Sequence, residues 1–419
     1  MNQAASEYSS QNPWASREKL PCVSPAHIFA AIVVCFLCAV CIPLCNNQSL
    51  ALLTLAVLFA YVALVGRHPL TVALILVTTF LVVVFGSAFG LGFTVGAVLL
   101  SSVVGCATAA FLMTVLQRAF VGALVPLAAF GVAYAVTGQL TTALAALSFL
   151  PAAALLTFAT LRGRGRTTAI CSAQCGLLLA VVGVFAVLIW KIYGTLGSTA
   201  IRAAIDAVRE GVVRAFEAMR DYNLAAFEGV PMGDAAEEWI ERVNLLYSRE
   251  MAEQIFLVFP AAIAVICGII AYEAQALLNA SYKTMGLGEV LTPNARFFSM
   301  SVTSAILFAT SFILTMTTSS TSVMGAMMQN LTLILMPGLC VIGLQSIVMT
   351  VRQARGGARV IWLLILAFFV CCSGGVFYML AFWGAYGIIM MTLQKKMVEK
   401  IIMSGRGDDS SDDNNHEDR

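Results

Sequence analysis

Three stretches of this chain, residues 20–66, 68–117 and 119–161, contain no Lys, Arg, Asp or Glu. Between Lys19 and Lys191 stand five arginines (Arg67, Arg118, Arg162, Arg164 and Arg166) and no acid. Such a segment cannot give a helix a water-facing side. It suits hydrocarbon, where helices satisfy their own backbone groups. A crossing needs about 20 apolar residues, so the second and third stretches hold two crossings each. Composition agrees: of 419 residues, 60% are hydrophobic and 11% charged, against about 25% charged in soluble domains. The mean hydropathy is +0.90.

The expected fold class is all-α, a polytopic transmembrane helical bundle of about 11–12 spans. An amino-terminal block over 26–190 holds spans near 26–44, 49–65, 70–86, 93–117, 119–136, 140–161 and 169–190. A carboxy-terminal block over 254–393 holds spans near 255–279, 297–317, 321–350 and 360–382, with apolar chain continuing to Met391. Residues 1–25 read as a polar cytoplasmic tail, and 26–44 is long enough to remain as an anchor instead of a cleaved signal.

Positive charge orients the bundle. Alternate connections carry it: Arg17 and Lys19, Arg67, Arg118, the Arg162/Arg164/Arg166 cluster, Lys283 with Arg296, and Arg352/Arg355/Arg359. Basic short loops stay in the cytoplasm. The amino terminus is therefore expected inside a bacterial cell membrane, and residues 191–253 outside.

That external segment holds seven basic and eleven acidic residues, a net charge of −4. Ile201, Ile205, Val208, Val212, Phe216 and Met219 step by three or four, which predicts an amphipathic helix. A second helix starts at Asp234, with Glu237 completing a capping-box pattern, and runs through Trp239, Val243, Leu246 and Met251 into the next span. Gly229 to Gly233 supplies the turn. The hairpin packs its apolar face on the protein, or serves as a lid or docking surface. Beyond Lys395, Lys396 and Lys400, the run containing Asp408, Asp409, Asp412 and Asp413 predicts a disordered tail over 394–419. The basic cluster argues for a cytoplasmic tail, which requires an even number of spans and so a tight hairpin within 360–391 near Ser373-Gly374-Gly375. One long span ending outside is the alternative.

Cys35, Cys38, Cys41 and Cys45 have the spacing of an iron–sulfur cluster site. They lie on an apolar helix, however, and so form one stripe of small side chains suited to helix packing. Glu273 is the acid placed well inside an expected span, about two turns from the cytoplasmic end at Lys283, with Gln275 and Asn279 nearby. An intramembrane carboxylate is a candidate ligand or coupling site; the alternative is helix pairing, with Arg296 as a partner. Gln329 and Asn330 lie mid-span in a segment that also holds Pro337-Gly338. They read either as interhelical hydrogen-bonding groups or as pocket polar groups beside a broken helix.

No catalytic, metal or cofactor site is expected. The three histidines, His27, His68 and His416, are scattered, and no phosphate-binding glycine loop is present. The net charge of +2 gives no reason to expect a nucleic-acid partner.

The stretch from Phe259-Pro260 through Tyr272 and Asn279 to Lys283 and Gly286 resembles the YybS-like family of bacterial membrane proteins. Pro293, Gly343-Leu344-Gln345, and Trp383-Gly384-Ala385-Tyr386 followed by Lys395-Lys396 are similar to it as well. Tyr386 stands where that family usually has an acid. The amino-terminal half resembles the substrate-binding components of energy-coupling-factor transporters, which dock to an ATPase module through small residues. Ala26 and Ala30 in the first span fit that pattern. The resemblance implies a transport-related, solute-binding membrane component without its own ATPase, in the lipid bilayer beside an ATPase and coupling module. A scaffold or regulator of envelope or signalling proteins is the alternative.

Overall fold

The computed structural model describes residues 23–45, 47–66, 69–87, 91–116, 119–225, 234–287, 298–319, 322–353 and 375–408. Among them every regular element is a helix. Eight helices are long and apolar enough to cross a membrane, and shorter apolar helices cover Thr71–Val84, Gly122–Thr137 and Val302–Thr317. The chain is an all-α multi-pass membrane protein. Leu64, Phe29, Phe80, Leu179 and Val182 are exposed on the helices, as expected where the surrounding solvent is lipid. Two compact units are present: Met1–Phe256 with Ile266–Arg296, and Leu257–Val265 with Phe297–Arg419.

The first unit contains α1 (Pro25–Leu44), α2 (Gln48–Val65), α3 (Pro69–Ser87), α4 (Gly92–Val115), α5 (Ala119–Thr137), α6 (Leu140–Leu144), α7 (Leu150–Leu161) and α8 (Arg166–Tyr193). Its axis is α4, in which every residue from Leu99 to Thr114 is buried. Ser101, Ser102, Gly105, Ala107, Ala109 and Ala110 keep that helix thin enough for α1, α2, α3, α5 and α7 to pack around it. Gly105 shows why: a Cβ there would stand 3.0 Å from the Phe149 ring and 3.2 Å from Cys38 Cβ. The expected span over 140–161 is interrupted, with a 3₁₀ turn at Ala145–Leu147 before α7 begins. Pro151 has no N–H to give Leu147, so the ladder opens there.

Gly194, at φ +70°, ends α8 by donating to Trp190 O. Two helices follow, α9 (Ser198–Ala225) and α10 (Asp234–Leu246), and they touch each other. The turn expected at Gly229–Gly233 lies outside the described residues, as does the Asp234 side chain. The faces differ in part from expectation. Val208, Val212, Phe216 and Met219 are half-buried, Val213 is buried, and Ile201 and Ile205 are exposed. The second helix also does not run into the next span. It stops at Leu246, and Ser248 caps a new helix by accepting from Met251 N at 3.3 Å. A serine cap satisfies a donor that would otherwise be orphaned at a helix start, so it favours a restart over continuation. The new helix is α11 (Arg249–Thr284).

The second unit holds α12 (Val302–Thr317), α13 (Val323–Gln353) and α14 (Gly375–Asp408), each touching the other two. Ala305, Phe308, Leu339, Ile342, Ala381, Ala385 and Ile388 form its core. Phe382 stands edge-on to Phe308 and Phe312, at 5.2 and 4.9 Å between ring centroids. α13 and α14 cross at two glycines: a Cβ on Gly343 would stand 2.1 Å from Leu380 O, and one on Gly384 would stand 2.1 Å from Leu339 O. The α13 helix is continuous through Pro337-Gly338, so the break weighed there does not occur.

The tail needs a correction. Helix α14 continues through Lys395, Lys396 and Lys400 to Asp408, so residues 394–408 are helical where a disordered tail is expected. Nucleation is the costly step of helix formation, and a helix already formed in the preceding span extends cheaply. Residues 409–419 and the expected turn at Ser373-Gly374 lie outside the described residues.

Candidate functional site

Helix α11 carries most of the polar chemistry, at two levels. The upper level is set by Pro260, which has no N–H to donate. In an uninterrupted helix, the next amide, Ala261 N–H, would pair with Leu257 O. Ala261 N–H donates to Asn330 Oδ1 at 2.9 Å, and Leu257 O accepts from Asn330 Nδ2 at 2.8 Å. Asn330 Nδ2 also donates to Ala326 O within α13, at 2.8 Å. The carboxamide thus bonds both groups of that step in the α11 ladder. Inserting a side chain in this way is a recognised cause of helix bending.

The lower level is built around Glu273, which is 1% exposed. Thr78 Oγ1, on α3, donates to Glu273 Oε1 at 2.5 Å, while Glu273 Oε2 has no hydrogen-bond partner among the described residues. Ten residues of continuous helix separate Glu273 from Lys283, about 15 Å at 1.5 Å per residue. That is nearly three turns, not the two expected, and about half of a 30 Å hydrocarbon core. If Lys283 marks the cytoplasmic end of the span, as the sequence suggests, the carboxyl group lies deep in it.

Neighbouring polar groups on α11 are satisfied within the same unit. Gln275 is 3% exposed and accepts from Arg166 Nε at 3.3 Å. The Arg166 guanidinium lies over the Tyr272 ring, 5.1 Å from its centroid, a cation–π arrangement. Fully buried Tyr282 donates its hydroxyl to Thr114 Oγ1 at 2.9 Å. Arg296, weighed as the partner of Glu273, lies outside the described residues.

The three site residues chosen from sequence fall in different units. Glu273 belongs to the first unit, and Gln329 and Asn330 belong to the second. Asn330 acts on backbone, and Gln329 beside it is half-buried. Sequence reasoning missed Thr78. A threonine in an apolar span ordinarily bonds its own preceding turn and leaves no distinguishing mark. The docking of Arg166 on Gln275 was also missed, because loop position alone marked that arginine as an orienting charge.

Cys35, Cys38, Cys41 and Cys45 are all buried, and Cys41 Sγ accepts from Thr54 Oγ1 at 3.1 Å. The stripe lies in a helix interface. Among the described residues no group of three His, Cys, Asp or Glu is placed to hold a metal ion. No protein-family model, curated protein or solved structure matches the chain.

Proposed function

We propose that this chain is a transport-related membrane component that binds a small solute and draws energy from a separate ATPase. On this reading it belongs with the YybS-like proteins, sits in a bacterial cell membrane with its amino terminus in the cytoplasm, and has no reaction of its own. The observation that most supports it is Glu273, a carboxylate inside a span with one oxygen unclaimed by the described residues. Burying such a group is costly, and proteins keep it in membranes chiefly along solute or ion paths. Asn330 supports the reading less, because its hydrogen bonds go to backbone.

The external hairpin favours a second reading, a scaffold or regulator of an envelope or signalling complex. Ile201, Ile205, Tyr222, Leu245 and Leu246 are exposed there, and exposed apolar residues on an otherwise charged element suit a partner surface.

A pulldown of the tagged full chain in mild detergent, with mass spectrometry of what co-purifies, separates the two. Recovery of ATP-binding-cassette ATPases with a coupling membrane protein is the expected result. Envelope or signalling proteins without any ATPase would replace the transport reading with the scaffold.

A further inference from the structure

No cationic side chain among the described residues forms an ion pair with Glu273. Among the described residues the ion pairs involve Arg209, Glu210, Arg214, Arg220, Asp221, Glu238, Arg242, Arg249 and Glu253, all in or beside the hairpin. Arg166 reaches the same stretch of α11 but is taken up by Gln275 and the Tyr272 ring. Residues two apart on a helix do not face each other, so the Gln275 contact does not turn that guanidinium toward position 273.

Donors are as scarce as charge. A carboxylate offers about four acceptor positions. The donor placed on Glu273 is the Thr78 hydroxyl, whose single proton is also within reach of Leu74 O at 2.9 Å and Ile75 O at 3.1 Å. The far oxygen, Oε2, receives nothing from the described residues. An anion held this way in hydrocarbon has neither the solvent nor the hydrogen bonds that normally stabilise it.

We infer that Glu273 is the acceptor for an exchangeable small cation, a proton or a sodium ion, whose charge supplies what the chain leaves out. The observed donor set is oxygen only, from the carboxylate and Thr78 Oγ1, which suits a hard cation and not a thiophilic metal. A proton on the carboxyl group would donate where nothing now does. Sodium would be held by Oε2 with the neighbouring hydroxyl and carbonyl oxygens. The inference rests on the transport reading of the same site and names its coupling ion. It does not depend on which partner the chain recruits.

The test is modification of the purified full chain by a hydrophobic carbodiimide, which adds to the protonated carboxyl group and rearranges to a stable acylurea. Peptide mass spectrometry locates the adduct, and Glu273→Gln gives the background. Reaction at Glu273 that falls as pH rises, with no effect of sodium, identifies a proton site. Reaction that sodium chloride suppresses and choline chloride does not identifies a sodium site; at about ten times its Kd, sodium cuts the yield to about a tenth. Absence of an adduct at Glu273 throughout, or a yield indifferent to both pH and sodium, overturns the inference, as would follow if Arg296 held the carboxylate permanently. Because no ATPase is needed, a negative labelling result leaves the transport reading standing, and a negative pulldown leaves the cation site standing.

Discussion

Two levels of helix α11 treat buried polarity in opposite ways. Beside Pro260 a buried carboxamide is fully used: Asn330 bonds Leu257 O and Ala261 N–H, and its remaining donor goes to Ala326 O. At Glu273 the helix is intact, yet among the described residues a more costly group is left half satisfied, with Thr78 on one oxygen and nothing on the other. A buried polar group that is fully bonded contributes to stability, and one left open calls for another explanation. On the proposed reading, the contrast sets a structural role beside a functional one within a single helix.

The largest expected effect sets the scale for purely steric damage. Gly384→Leu places side-chain carbon where only 2.1 Å separates a Cβ from Leu339 O. Overpacking of this kind costs about 3 kcal/mol, read as loss of monodisperse protein on size exclusion in detergent. A well-behaved Gly384→Leu protein would show that the α13–α14 crossing is not close-packed, and would remove the scale for the polar comparison.

Asn330→Ala comes next, at about 1–2 kcal/mol. The loss stays modest because Leu257 O and Ala261 N–H can pair with each other once the carboxamide is gone. Hydrogen exchange on the peptide containing Ala261 tests that: protection is expected to persist in the variant. Rapid exchange would mean that the ladder cannot hold that step alone, and that Asn330 is worth more than this comparison allows.

Glu273→Gln should change stability least, by less than about 1 kcal/mol, since the amide keeps the oxygen that accepts from Thr78. Its effect should fall on function, with growth impaired in a host that depends on the protein. Wild-type growth together with unaltered partner recovery would place Glu273 beside Asn330 as a packing residue.

Much of the fold was legible because hydrocarbon leaves a chain few options. Charge-free runs marked the amino-terminal helices, whereas the restart capped by Ser248 was not anticipated, because the apolar spacing continues across it. What the pattern did not show depends on tertiary partners. Pro151 opens the span over 140–161, a local effect hidden inside an unbroken apolar run. The extension of α14 to Asp408 defeats a composition argument because the helix is already nucleated. At the candidate site, Glu273 stood out as a lone acid, but the Thr78 and Asn330 bonds join residues 195 and 69–73 positions apart. No spacing rule reaches across such separations.

The most direct test of the contrast is a set of thermal unfolding curves for Asn330→Ala, Glu273→Gln and wild type, recorded together in the same mild detergent. The account predicts that Asn330→Ala melts about 2–4 °C lower for each kcal/mol lost, while Glu273→Gln overlays wild type. If Glu273→Gln falls as far as Asn330→Ala or further, the carboxyl group is a structural element and the functional assignment of its open oxygen is wrong.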